Sequence, residues 1–235
     1  MDGVFVRTMK EIARHNLHRL GWSRSDPHLQ RAERSDRFSE IYSKGVWRHN
    51  DPETPLSGVG SSIKATTAVR EQLPGVLRQL GCRSLLDLGC GDLNWMRGVD
   101  LGVDYIGADI VEDVIQRNRS IIPSAKFHVV DATRDTLPSA NVVLCREVLF
   151  HLSFEDIKAV LSNIKGGGFD YLIATSDNGT RFNADTVTGD YRMLNLRIAP
   201  FRLPPPSLTI RDDAIFSGRH LGVWPVSDLP AFSPL

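Results

Sequence analysis

The chain has 235 residues, 41% of them hydrophobic and 24% charged, with Lys plus Arg equal to Asp plus Glu at 28 each. That fits one α/β domain with a terminal extension and excludes a polyelectrolyte built for nucleic acid, so no nucleic-acid partner is expected. No apolar run is long enough for a signal peptide or a bilayer span, and the three cysteines, Cys82, Cys90 and Cys145, lack metal-ligand spacing, so the chain reads as soluble, cytoplasmic and reduced.

Residues 4–20 place Phe5, Met9, Ile12, Ala13, Leu17 and Leu20 at helical spacing with basic residues elsewhere. An amphipathic helix packed on the domain as a lid is expected; the alternative, drawn from ten Lys/Arg against six Asp/Glu through Arg48, is an anionic partner or membrane surface. Residues 51–62 concentrate Pro, Gly and Ser and predict a loop, followed by a helix with a kink at Pro74 and a stop at Gly81. Beyond Gly81, β-rich runs at 84–89, 105–110, 127–132, 141–147 and 170–176 alternate with helical segments, predicting a parallel sheet with crossover helices. The clearest helix begins at Ser153, a candidate cap with Asp156 three residues on. Residues 177–206 are polar and end in PFRLPPP, before SLTIRD and HLGVWPV offer two final strands.

The stretch LLDLGCGDLNWM (85–96) runs from a strand into a glycine turn, with a helix expected next, an arrangement that suits nucleotides because glycine permits close approach. Asn94 stands where a dinucleotide fingerprint requires a third glycine. Asp87 and Asp92 flank the turn and would repel a pyrophosphate. A cationic ligand, S-adenosylmethionine (SAM) with its ammonium and sulfonium, fits better. Asp109, ending the second run, is placed to accept from ribose hydroxyls, and Asp131 with Ala132 to meet an adenine.

These motifs together resemble a class I SAM-dependent methyltransferase from about Ser57 to the C-terminus: DLGCGD resembles the glycine loop, GADI the ribose-binding turn, VVDAT the adenine-binding turn, and NVVLCREVLFHLS the fourth strand. The resemblance implies a Rossmann-like, seven-stranded, mostly parallel sheet with helices on both faces and a C-terminal antiparallel hairpin, over residues 57–235, with 1–56 as a helical lid. More narrowly, Phe38, Ile41, Tyr42, Trp47, the SGVGS loop (57–61) and Arg146 to Ser153 resemble a group of small bacterial methyltransferases, commonly met among genes for surface sugars. The implied cofactor-binding set is Trp47, Ser57, Ser61, Asp87, Gly89, Cys90, Gly91, Asn94, Trp95, Asp109, Ile110, Asp131, Ala132 and Arg146. For Ser57 and Ser61 the alternative is a plain linker.

Methyl transfer to a hydroxyl needs a base, and His151 after the fourth strand is the leading candidate, with Glu147 second and Arg146 a clamp for a substrate carboxylate or phosphate. A packing role for His151 is the competing reading. Asn183, Arg192, Asn195 and Phe201 would line a substrate wall unless 177–206 is a structural loop. A divalent ion on Glu147 and Asp177-Asn178 would have suitable oxygens, but Arg146 adds adjacent positive charge and Asp-Asn-Gly is an ordinary turn, so no metal is expected. The expected activity is O-methylation of a small polar acceptor, a sugar or nucleotide-linked sugar; the alternatives are N-methylation of a small molecule or protein, and a noncatalytic SAM-binding module.

Overall fold

A computed structural model describes residues 3–20 and 26–232. Seven strands form one sheet: β1 (Ser84–Leu88), β2 (Asp104–Asp109), β3 (Lys126–Val129), β4 (Val142–Cys145), β5 (Tyr171–Asp177), β6 (Leu208–Arg211) and β7 (Arg219–Pro225). Their order is β3-β2-β1-β4-β5-β7-β6. The first five are mutually parallel, and β7 inserts antiparallel between β5 and β6. This is the expected sheet with its C-terminal hairpin. The near-continuous burial of β1, β4 and β5 follows from helices on both faces.

Five α-helices flank the sheet: α1 (Gly3–Arg19), α2 (Arg34–Lys44), α3 (Thr67–Gln79), α4 (Glu112–Ile121) and α5 (Phe154–Gly166). One face packs Val69, Leu73 and Leu77 of α3 with Ile115 of α4. The other packs Ile157, Val160, Leu161 and Ile164 of α5 with Phe201 and Trp224. Ser153 caps α5, its side chain accepting from the Asp156 N–H at 3.2 Å. Pro74 lies inside α3 without ending it, and Gly81 follows the helix at φ +67°.

Two expectations are corrected. No regular helix follows the glycine loop: residues 94–98 form turns, and Leu93, just before them, takes φ +56°, outside the right-handed helical region. Helix α1 packs through polar groups, while Met9, Leu17 and Leu20 stay exposed; the Phe5 side chain lies outside the described residues. Among the described residues, no helix is long and apolar enough to cross a membrane.

Candidate active site

The parallel strands end along one edge of the sheet, where open α/β folds receive ligands. There a cavity is lined by Leu88 to Asp92 after β1, Asp109 and Ile110 after β2, Val130 to Thr133 after β3, and Arg146 to Val148 with His151 after β4. Arg34, Phe38, Tyr42 and Trp47, from α2 and the turn that follows it, close it together with Ser57 and Ser61. The glycines of the first turn are required by geometry. Gly89 and Gly91 have φ of +76° and +59°, and an added Cβ would stand 2.4 Å from Val148 Cγ2 and 2.3 Å from Ser57 Oγ respectively.

Asp109 is buried with one oxygen accepting from the Gly91 N–H and the other from the Val111 N–H, each at 3.0 Å, and burial raises its pKa. The carboxylate also lines the cavity. Asp131 is more heavily engaged. One oxygen accepts from the Thr133 N–H and hydroxyl, while the other pairs with Arg34 at 3.3 Å. Arg34 also reaches Asp156 at 2.7 Å, so α2 is latched to both the third strand's turn and the α5 cap. Ser57 and Asp92 are tied reciprocally, the Asp92 N–H donating to Ser57 Oγ at 3.0 Å and the Ser57 N–H to Asp92 Oδ2 at 3.2 Å. Ser61 donates to Gly58 O at 2.8 Å, which leaves its oxygen as an acceptor only.

At the β4 end, Arg146 donates to Gly60 O at 2.9 Å and Asp212 at 2.8 Å and lies over the Trp95 ring at 5.3 Å. Its Nε, also buried, has no partner among the described residues. Burial lifts Asp212 to a pKa of about 6 despite that pairing. Glu147 adopts φ +59°, uncommon for a non-glycine residue, with its N–H on Thr175 Oγ1 at 2.8 Å and its carboxylate on Arg219. A Cβ on Gly60 would fall 1.8 Å from Glu147 Oε2, so glycine at 60 makes room for that carboxylate.

The His151 ring packs against Trp47 with centroids 4.7 Å apart and lies 3.0 Å, through Nδ1, from Asp190 O. A carbonyl only accepts, so the proton sits on Nδ1 and Nε2 keeps its lone pair. Burial, the largest influence, lowers the pKa of the ring to about 4.

Of the residues singled out from sequence, Trp47, Ser57, Ser61, Gly89, Cys90, Gly91, Trp95, Asp109, Ile110, Asp131, Ala132, Arg146, Glu147 and His151 line this one cavity. Asp87 and Asn94 do not. Asp87 is buried behind the loop, accepts from Tyr105 OH at 2.8 Å, and is raised by burial to a pKa of about 7, so at neutral pH its negative charge is only partial. Asn94 supports the SGVGS loop by donating to Ser61 O at 2.8 Å.

The expected substrate wall is also corrected. Arg192 is wholly buried, donating to Ala184 O and Leu149 O at 3.1 Å and Leu152 O at 2.6 Å. The Asn183 side chain donates to Asn195 O and accepts from the Asn195 N–H, the Asn195 side chain donates to Thr180 O, and Phe201 packs on Phe154 in the core. None of the four lines the cavity. Arg146 is only partly free as a clamp: its Nη2 is held by Gly60 O and Asp212, and its Nε is left unpartnered among the described residues. Sequence reasoning passed over Arg34 and Asp212, and it left Phe38 and Tyr42 without a role, although their i, i+4 spacing is a helical signal.

Residues 86–166 match the family model described as a methyltransferase domain. No curated protein matches the chain. Among solved structures, the PH0226 protein of Pyrococcus horikoshii OT3 is similar at 16% identity, with 77% of this chain and 98% of that one covered and a TM-score of 0.54. Magnesium protoporphyrin IX methyltransferase from Synechocystis PCC 6803, solved with bound SAM, is similar at 15% identity, with 83% and 97% covered and a TM-score of 0.53. Residues 86–166 are thus similar to a methyltransferase domain, the sheet shares the fold of these two structures, and the cavity lies at the C-terminal edge of its parallel strands.

Proposed function

We propose that the chain transfers the methyl group of its cofactor, S-adenosylmethionine, to a hydroxyl of a small polar acceptor, a sugar or nucleotide-linked sugar, with His151 as base. The observation that carries this reading is the state of that ring: it lines the same cavity as the glycine loop, neutral, with Nδ1–H given to Asp190 O and Nε2 left to accept a proton. Two features fit the cofactor. The backbone of the glycine turn borders the cavity, and the unpartnered buried Nε of Arg146 suits a carboxylate.

When bound, the cofactor supplies an activated methyl on a good leaving group, so the protein's task is mainly alignment and exclusion of water. Asp109 accepts from the ribose hydroxyls and Ile110 packs beside them. Ala132 and the Asp131 turn receive the adenine, Ser57 and Ser61 border the amino-acid end, and residues 1–56 supply the lid through Phe38, Tyr42 and Trp47. The acceptor lies beside the packed Trp47 and His151 rings and next to Glu147 and Val148, not against Asn183, Arg192, Asn195 or Phe201. Trp47 offers a flat apolar face of the kind that meets a sugar ring, while Glu147, neutralised by Arg219, orients without taking the proton.

The test is incubation with methyl-labelled SAM and fractionated metabolites, followed by mass analysis of whatever gains the label. A small molecule methylated on oxygen is expected. Label on nitrogen or on protein would overturn the acceptor, and tight SAM binding with no labelled product from any fraction would overturn the enzymatic reading.

A further inference from the structure

We propose that helix α1 is a surface anchor that lays the protein on a membrane carrying anionic headgroups. The helix is docked with an apolar stripe facing away from the domain. Its inner side is held by Arg14 donating to Tyr191 O, by the Asp185 N–H donating to His15 Nδ1 at 3.2 Å, and by the His15 ring edge-on to Phe182 at 5.5 Å. Its outer side carries Val6 at 40%, Met9 at 51%, Leu17 at 48% and Leu20 at 74% exposure, with Ala13 exposed between them. At 3.6 residues per turn, positions 6, 9, 13, 17 and 20 fall within an arc of about 80°, one continuous stripe along the helix. Single exposed apolar residues need no explanation, but a contiguous stripe of five marks something that covers it.

The charge chooses the occupant. Residues 3–20 hold four Lys/Arg against one acid, and exposed Lys10 borders the stripe. Two copies of such a helix would bring like charges together, whereas an anionic surface attracts a basic residue that faces it, as Lys10 can, by about 1 kcal/mol and receives the apolar stripe at headgroup depth. This inference is independent of the acceptor proposed above.

Flotation of the full chain with vesicles tests it, using phosphatidylcholine alone and phosphatidylcholine mixed with phosphatidylglycerol. The protein should float with the mixed vesicles and much less with the neutral ones, and roughly 0.5 M salt should weaken the binding. The double variant Met9→Glu/Leu17→Glu should float at least about tenfold less while binding S-adenosylhomocysteine normally, since neither side chain is part of the packed interior. Lys10→Glu should reduce binding to the mixed vesicles alone. Absence of flotation, equal flotation of wild type and both variants, or a dimer in light scattering that the double variant dissolves would overturn the proposal, the last by giving the stripe to a second copy.

Discussion

The glycine-loop side of the cavity and the long segment 177–206 are both irregular, both polar, and opposite in what their side chains do. Around the glycine loop, positive-φ turns bring main chain to the cavity, and side chains such as Asp109 and Ser57 tie the loop while still lining the space. In 177–206 the side chains turn inward and substitute for missing ladder partners: Arg192 serves three carbonyls, Asn183 serves two, and Asn195 one. A buried irregular backbone has to satisfy its own polar groups, so polarity in such a loop signals internal hydrogen bonding as readily as a ligand.

His151 stands on the boundary, its ring in the cavity and its Nδ1 on Asp190 O of the long segment, and replacing it should have the largest effect. His151→Ala is expected to lower turnover roughly a hundred- to ten-thousandfold while leaving S-adenosylhomocysteine affinity nearly unchanged. The wild-type kcat/KM should show no break near pH 6.5, where an ordinary histidine titrates, and should fall only toward pH 4. The same depressed pKa links to stability: below pH 6.5 the unfolded chain takes up the proton and the folded one does not, so the contribution is full above pH 6.5 and lost as pH falls toward 4. Urea unfolding across that window should be flatter in the variant. A break near pH 6.5 in the kcat/KM profile would place the ring in a wetter site.

Arg192→Ala comes next and tests the contrast directly. Three buried carbonyls lose their donor, and urea unfolding should report a loss of roughly 3–5 kcal/mol, with S-adenosylhomocysteine affinity of the folded fraction intact. A normal unfolding midpoint combined with a raised acceptor KM would return the long segment to a substrate wall. On the other side, Gly91→Ala should cost binding more than stability. Titration calorimetry should find S-adenosylhomocysteine bound about a hundredfold more weakly, from a strained φ and a collision with Ser57 Oγ.

Much of the fold was legible because it is local: strand runs, the glycine turn and the Ser153 cap all advertise themselves within a few residues. The cofactor side was legible for the same reason, with Gly89, Gly91, Asp109 and Asp131 each close in sequence to the turn it serves. What was not legible is non-local. Arg146 meets Asp212 across 66 residues and Glu147 meets Arg219 across 72, and no pattern near β4 foretells that these charges are already paired. Helix α2 was hidden by its polar composition, and the helix expected after the glycine loop gives way to turns that follow Leu93 at φ +56°, a backbone conformation that no residue pattern there announces.

The pairing of Glu147 with Arg219, and of Arg146 with both Gly60 and Asp212, also sets an order in time. During synthesis the glycine loop and the first four strands leave the ribosome well before β7, whose Arg219 completes the β4 end. A nascent chain can form the parallel half of the sheet early, but its charge cluster stays unbalanced until β7 emerges. Loss of the final hairpin, far from the glycine loop in sequence, would therefore leave the acceptor end of the cavity unbuilt.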